Sequence, residues 1–241
     1  MAKKRFIKDI DILFDKIKPY TSQDVMSKLL QIRERFIHLS KKRLVKINHS
    51  IMQLLCAKYL IENGYRVEIE YPLNGGVLVA DIFGVRERIL GFEEDPRDAF
   101  LSEMHGISED EETLVLEVET GYVPPKGALN PGQYRLTRIA SKIARYAGFS
   151  HKFSLATPHY HVLQIPKVML DPVGHRDKNE LSNLKALCDA QYFSPPILFD
   201  ELATSEIQGI FVVNVDAIKV LEVDPQYYRE TVMHAEGVIQ I

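Results

Sequence analysis

Three carboxylates stand out by where they fall. Asp81 interrupts the apolar run "VADIFG" (79–84), and Glu117 and Glu119 interrupt "TLVLEVET" (113–120). Residues i and i+2 of a strand project to one face, so Glu117 and Glu119 emerge side by side. If the two runs are paired strands, Asp81 reaches the same spot. Converging carboxylates repel one another and raise a pKa unless a cation neutralises them, and hard oxygen donors favour Mg²⁺ or Mn²⁺. Such an ion binds a phosphate oxygen and eases deprotonation of an attacking water, so phosphodiester hydrolysis is the chemistry this set suits. The plainer alternative makes Glu117 and Glu119 the polar face of an edge strand and Asp81 a solvated residue between apolar neighbours.

The elements that must position these acids are legible in the pattern. Residues 5–18 and 22–45 read as helices broken at Pro19, with Thr21 or Ser22 as a cap, and 48–63 as a third helix stopped by Gly64. The period then changes. "YRVEIEYPL" (65–73) alternates as a strand does, "NGG" (74–76) signals a tight turn, and 77–85 returns as the second strand of a hairpin. Residues 86–112 are acidic and irregular, with one short helix expected. The third strand, 113–120, leads through the Gly/Pro loop "GYVPPKGALNPG" to an amphipathic helix, 133–147. On it Arg135, Arg138, Lys142 and Arg145 share a narrow arc and Leu136, Ile139, Ala140, Ile143 and Ala147 a broader one. A strand at 153–158 should lie parallel to the third, because a helix connects them. One further helix, 178–191, and a strand pair turning at Asp216 complete the chain.

At "VADIFG … LEVETG … ARYAGFSHKFSLATP" the sequence resembles the PD-(D/E)xK nuclease superfamily, over roughly residues 48–158. The resemblance implies an α/β, restriction-endonuclease-like mixed sheet flanked by helices. It also implies metal ligation by Asp81, Glu117 and Glu119, and Mg²⁺- or Mn²⁺-dependent cleavage of DNA. The chain departs from the pattern at three points. Glu119 stands where the motif usually has Lys, so Glu119 becomes a candidate general base or second-metal ligand, and Lys142, then Lys126, a candidate for a lysine supplied from elsewhere. The Asp81–Glu117 spacing is longer than the compact family pattern. The carboxylate usual on the preceding helix has only His49 and Gln53 near its place, and Glu62 lies at the wrong end of that helix.

Three domains follow: a basic helical N-terminal extension (1–47), a nuclease-like α/β core (48–170) and a C-terminal α/β extension packed on it (171–241). Of the 241 residues 46% are apolar, enough for a sizeable core. No apolar run approaches ~18 residues, so no membrane partner is expected, and the basic start lacks the pattern of a signal peptide. Cys56 and Cys188 read as buried thiols of a cytoplasmic protein. Net charge is −3, yet residues 1–50 hold 13 Lys and Arg against 5 Asp and Glu, leaving 17 against 28 in the rest. That asymmetry suits a basic arm meeting a polyanion. Lys41, Lys42 and Arg43, with Lys126, Arg135, Arg138, Lys142 and Arg145, are the candidate DNA contacts, the solvated helix face being the plain alternative. "HYH" (159–161) has the spacing of a strand metal pair but no further ligand beside it. No nucleotide cofactor is expected. A homodimer fits, with Val25, Leu29, Ile32, Phe36 and Leu39 either packed on their own domain or offered to a partner. The competing functional readings are a catalytically inactive nuclease-fold protein that binds nucleic acid or a protein partner, and a structural or regulatory α/β protein.

Overall fold

The computed structural model describes residues 2–88, 95–192 and 195–236. Three helices come first: α1 (Ala2–Ile17), α2 (Gln23–Lys41) and α3 (Ile47–Glu62). The Ser22 hydroxyl accepts from the Val25 N–H at 3.3 Å and starts α2, as an N-cap serine does. Strands β1 (Arg66–Leu73) and β2 (Leu78–Glu87) form the expected hairpin. Its tip turns through Asn74, Gly75 and Gly76, all at positive φ, which is why two glycines stand there.

After α4 (Asp98–His105) comes β3 (Glu111–Val118), then α5 (Pro131–Tyr146), β4 (Lys152–Pro158), α6 (Lys178–Gln191) and α7 (Phe199–Thr204). Strands β5 (Gly209–Asn214) and β6 (Lys219–Val223) and helix α8 (Pro225–Glu236) end the described chain. Helices α7 and α8 were not foreseen from sequence. Part of the acidic segment expected to be irregular lies outside the described residues; of the remainder, β2 runs on to Glu87 and α4 is the expected short helix.

All six strands join one mixed sheet in the order β1-β2-β3-β4-β5-β6. The first two pairings are antiparallel, β3-β4 and β4-β5 are parallel, and β5-β6 is antiparallel. The sheet divides the apolar interior in two. On one face Ile69, Ile82, Leu114, Leu116, Val118 and Phe211 pack under α1, α2 and α3. On the other, Phe83, Val85, Val115, Phe153, Leu155 and Ile210 pack under α5, α6 and α7. The period-2 alternation of β3 puts 114, 116 and 118 under the first layer and turns 115, 117 and 119 towards α5.

The expected domain limits are not seams in this packing. Helices α1 and α2 share a core with α3, and β5 and β6 continue the sheet of the central strands. Val25, Leu29, Ile32 and Phe36 are buried in that core and Leu39 packs against it, so the stripe serves its own fold. Cys56 and Cys188 are buried free thiols. Among the described residues no helix is long and apolar enough to cross a membrane.

Candidate active site at the splayed ends of β2 and β3

The β2-β3 ladder runs from Glu87↔Glu111 to Ile82↔Leu116 and stops. One more step would set Asp81 opposite Glu117. Instead, side chains replace the ladder. The Asp81 N–H donates to Glu117 Oε1 at 2.9 Å, and the Val118 N–H donates to Asp81 Oδ2 at 2.7 Å. Each carboxylate satisfies a backbone donor of the opposite strand, which keeps those buried N–H groups paired where the strands separate. Of the three acids expected to converge, Asp81 and Glu117 thus meet where the strands part.

Four elements close around the pair. From α3, His49 Nε2 donates to Asp81 Oδ1 at 2.8 Å, and Gln53 Nε2 donates to the Asp81 carbonyl at 2.9 Å and to Glu70 Oε1 at 2.8 Å. From β1, Glu70 joins at a left-handed φ of 47°, a conformation that costs a non-glycine residue free energy and recurs at functional sites. Arg35 of α2 holds its carbonyl at 3.0 Å. From α5, Lys142 Nζ donates to the Val118 carbonyl at 2.8 Å and pairs with Glu117 Oε2 at 3.2 Å and Glu119 Oε2 at 3.7 Å. Sequence alone did not single out Glu70. The alternation of "VEIE" opposite "VADIF" in the hairpin was the available signal.

Glu119, just past the end of β3, is turned away from this centre. Arg138 Nε donates to its Oε2 at 2.5 Å and the Gly121 N–H to its Oε1 at 3.0 Å. Both glutamates are almost fully buried, 4% and 3% exposed, so neither is the polar face of an edge strand. Three of the four basic residues in the arc of α5 are engaged rather than solvated. Arg138 and Lys142 hold carboxylates, and Arg145 donates to the Pro195 carbonyl at 2.7 Å and lies over the Tyr192 ring. Arg135 is half-buried, its Nε without a partner. Lys126, Lys41, Lys42 and Arg43 are exposed. In "HYH", His161 Nδ1 meets Thr157 Oγ1 at 2.9 Å.

The electrostatics separate the acids. Burial works to raise the pKa of Asp81, but the His49 hydrogen bond and the Lys142 charge outweigh it and hold the group below its ordinary value. Burial pushes Glu117 up to about 7, with the Asp81 charge adding to it against the opposition of Lys142. Burial also raises Glu70. Glu119 is held low, because the charges of Lys142 and Arg138 overcome its desolvation. Burial would lower Lys142, but the charges of Glu117, Asp81 and Glu119 keep it above its usual value and cationic.

Among the described residues no group of three or more His, Cys, Asp and Glu side chains is arranged to hold a metal ion. Lys142 lies on the side that Glu117 and Glu119 share. The acids around the site outnumber its basic side chains. Four acids, Glu70, Asp81, Glu117 and Glu119, face Lys142, Arg138 and His49. Glu117 holds a proton near neutrality because it is buried, and because the Asp81 charge beside it opposes ionisation.

No family model matches the chain, no curated protein is similar to it, and no solved structure matches it. The architecture defines an α/β protein with a mixed six-stranded sheet flanked by helices.

Proposed function

We propose that this protein is a metal-dependent nuclease of the restriction-endonuclease-like type, hydrolysing phosphodiester bonds in DNA. The observation that carries this reading is the pairing of Asp81 and Glu117 where β2 and β3 part, with Lys142 against Glu117. The order helix, two strands, a short helix, a third strand, helix, strand around it supports the reading.

Asp81 and Glu117 would hold Mg²⁺ or Mn²⁺. When bound, such an ion supplies charge stabilisation at phosphorus and a more acidic water. The chain's own residues do the rest. His49 and the Val118 N–H fix both oxygens of Asp81, which sets its orientation before substrate arrives. Lys142 takes the part of the motif lysine from α5, holding a cationic ammonium beside Glu117, where it can steady charge developing on the phosphate. Glu119, kept ionised and bonded to Arg138, is a poor general base. Its work is to orient Arg138 and the loop at Gly121. A second reading, an inactive binder of the same fold, draws on the same Lys142–Glu117 contact, in which lysine serves as the permanent counter-charge.

Cleavage of single-stranded, duplex and branched DNA with Mg²⁺ or Mn²⁺ decides between them. The nuclease reading expects cutting by the wild type and loss of about 10²-fold or more in Glu117→Ala. Salt-dependent binding without cutting, unaffected by Glu117→Ala, would leave the inactive binder.

A further inference from the structure

Beside the carboxylate site the molecule presents two tyrosines to solvent. Tyr122 is 63% exposed and Tyr160 78% exposed. Tyr122 follows β3 and is three residues past Glu119; Tyr160 is two past the end of β4, the parallel neighbour of β3. Their segments touch. Gly121 lies so close to the His161 ring that a Cβ there would fall 2.2 Å from its Cδ2. Each tyrosine is thus one residue from this contact, which places both segments past the ends of the neighbouring strands β3 and β4. A cation borders Tyr122. Lys46 Nζ is 5.9 Å from the centre of the Tyr122 ring, and Lys46 precedes α3, which carries His49 to Asp81. In sequence, the exposed basic stretch Lys41, Lys42 and Arg43 comes just before Lys46.

Exposed rings beside a cationic track are the combination that binds single strands: cations follow the phosphates, and each ring takes a base face, whatever its sequence. A paired duplex keeps its base faces covered and has nothing to offer the rings. We propose that Tyr122 and Tyr160 form a stacking platform for unpaired nucleobases, so that the site receives single-stranded or frayed DNA rather than uninterrupted duplex. This proposal rests on the nucleic-acid reading of the site and specifies its substrate.

The test measures binding of a labelled single strand of about 20 nucleotides, and of its duplex, by fluorescence anisotropy. Tyr122→Ala and Tyr160→Ala should each weaken single-strand binding by about 5- to 150-fold, the range for loss of one base stack, and change duplex binding less than twofold. Tyr122→Phe should keep the affinity. The chain has no tryptophan, so the Tyr122→Trp variant gives a single reporter, whose emission the single strand should quench and the duplex should not. Single-strand affinity within twofold of wild type in both alanine variants overturns the proposal, as does an unquenched reporter in a bound complex. The two readings fail separately. If wild type cuts nothing yet the tyrosine dependence holds, hydrolysis falls and the platform stands; if wild type cuts and the alanine variants bind and cut like it, the platform falls and hydrolysis stands.

Discussion

Removing the Lys142 ammonium would leave Glu117 and Glu119 buried with too little positive charge. Breaking a buried pair from one side typically costs about 3–5 kcal/mol, and Glu117 can relieve part of that by staying protonated. Lys142→Met should therefore lose about 3 kcal/mol in urea unfolding without divalent ions. Mn²⁺ should raise its melting temperature more than that of wild type, because without the ammonium Asp81 and Glu117 would gain more from the ion's charge. A variant as stable as wild type and indifferent to Mn²⁺ would contradict this. The acids were legible in the sequence because charge inside apolar, alternating runs is a local signal. That Lys142 would meet them was legible only as the first of two candidates, since a helix arc gives direction but not reach. The parts played by His49, Gln53 and Glu70 were not legible, because an imidazole, an amide and one more alternating acid look the same whether they face solvent or Asp81.

At the level of elements, the loop after β3 and the helix α4 each make a prediction. Gly121 has a φ of 74° and no room for a methyl group against His161. Gly121→Ala should destabilise by about 2–4 kcal/mol, backbone strain and overpacking together, and pairing it with His161→Ala should recover part of the loss. Equal stability of Gly121→Ala and wild type in thermal unfolding would refute the close approach. Helix α4 is tied to the sheet by Asp98, which pairs with Arg88 and accepts from His151 Nε2 at 2.9 Å. The Arg88 hydrogen bond is the main reason that the Asp98 carboxyl falls to about 2, from 3.8. A depressed folded-state pKa gives stability that is present above the unfolded value and lost as pH falls through the folded one. Asp98→Asn should therefore flatten the decline in unfolding free energy between about pH 4 and pH 2. An unchanged decline would show that the pairing contributes nothing. The hairpin, β3, α5 and β4 were readable from period and turn residues. The stop of the β2-β3 ladder at Ile82 was not, because a parting of strands depends on what both carry at one level of the sheet, and neither sequence run shows that alone.

For the whole molecule, charge and core were legible to different depths. The excess of Lys and Arg in residues 1–50 suggested a basic arm meeting a polyanion, but a count of charges does not reveal that α1 and α2 bury their apolar stripe against α3. Deleting residues 1–45 would thus open the core, and the basic stretch is better tested by substitution. Lys41, Lys42 and Arg43 are exposed, so replacing all three with alanine should leave folding unchanged. It should also reduce the slope of log affinity against log salt for single-stranded DNA by about 2, at ~0.7 per phosphate contact. An unchanged slope would remove this stretch from the binding path. The central claim is that Asp81 and Glu117 form a hydrolytic site that needs a divalent ion. Its most direct test is the rate of strand cleavage against Mn²⁺ concentration for wild type and Asp81→Asn, with DNA affinity measured on the same samples. The predicted result is a wild-type rate that rises with Mn²⁺ and stops with chelator, and a loss of about 10²-fold or more in Asp81→Asn at similar affinity. Cleavage by Asp81→Asn at the wild-type rate, or none by wild type at any Mn²⁺ concentration, would contradict it.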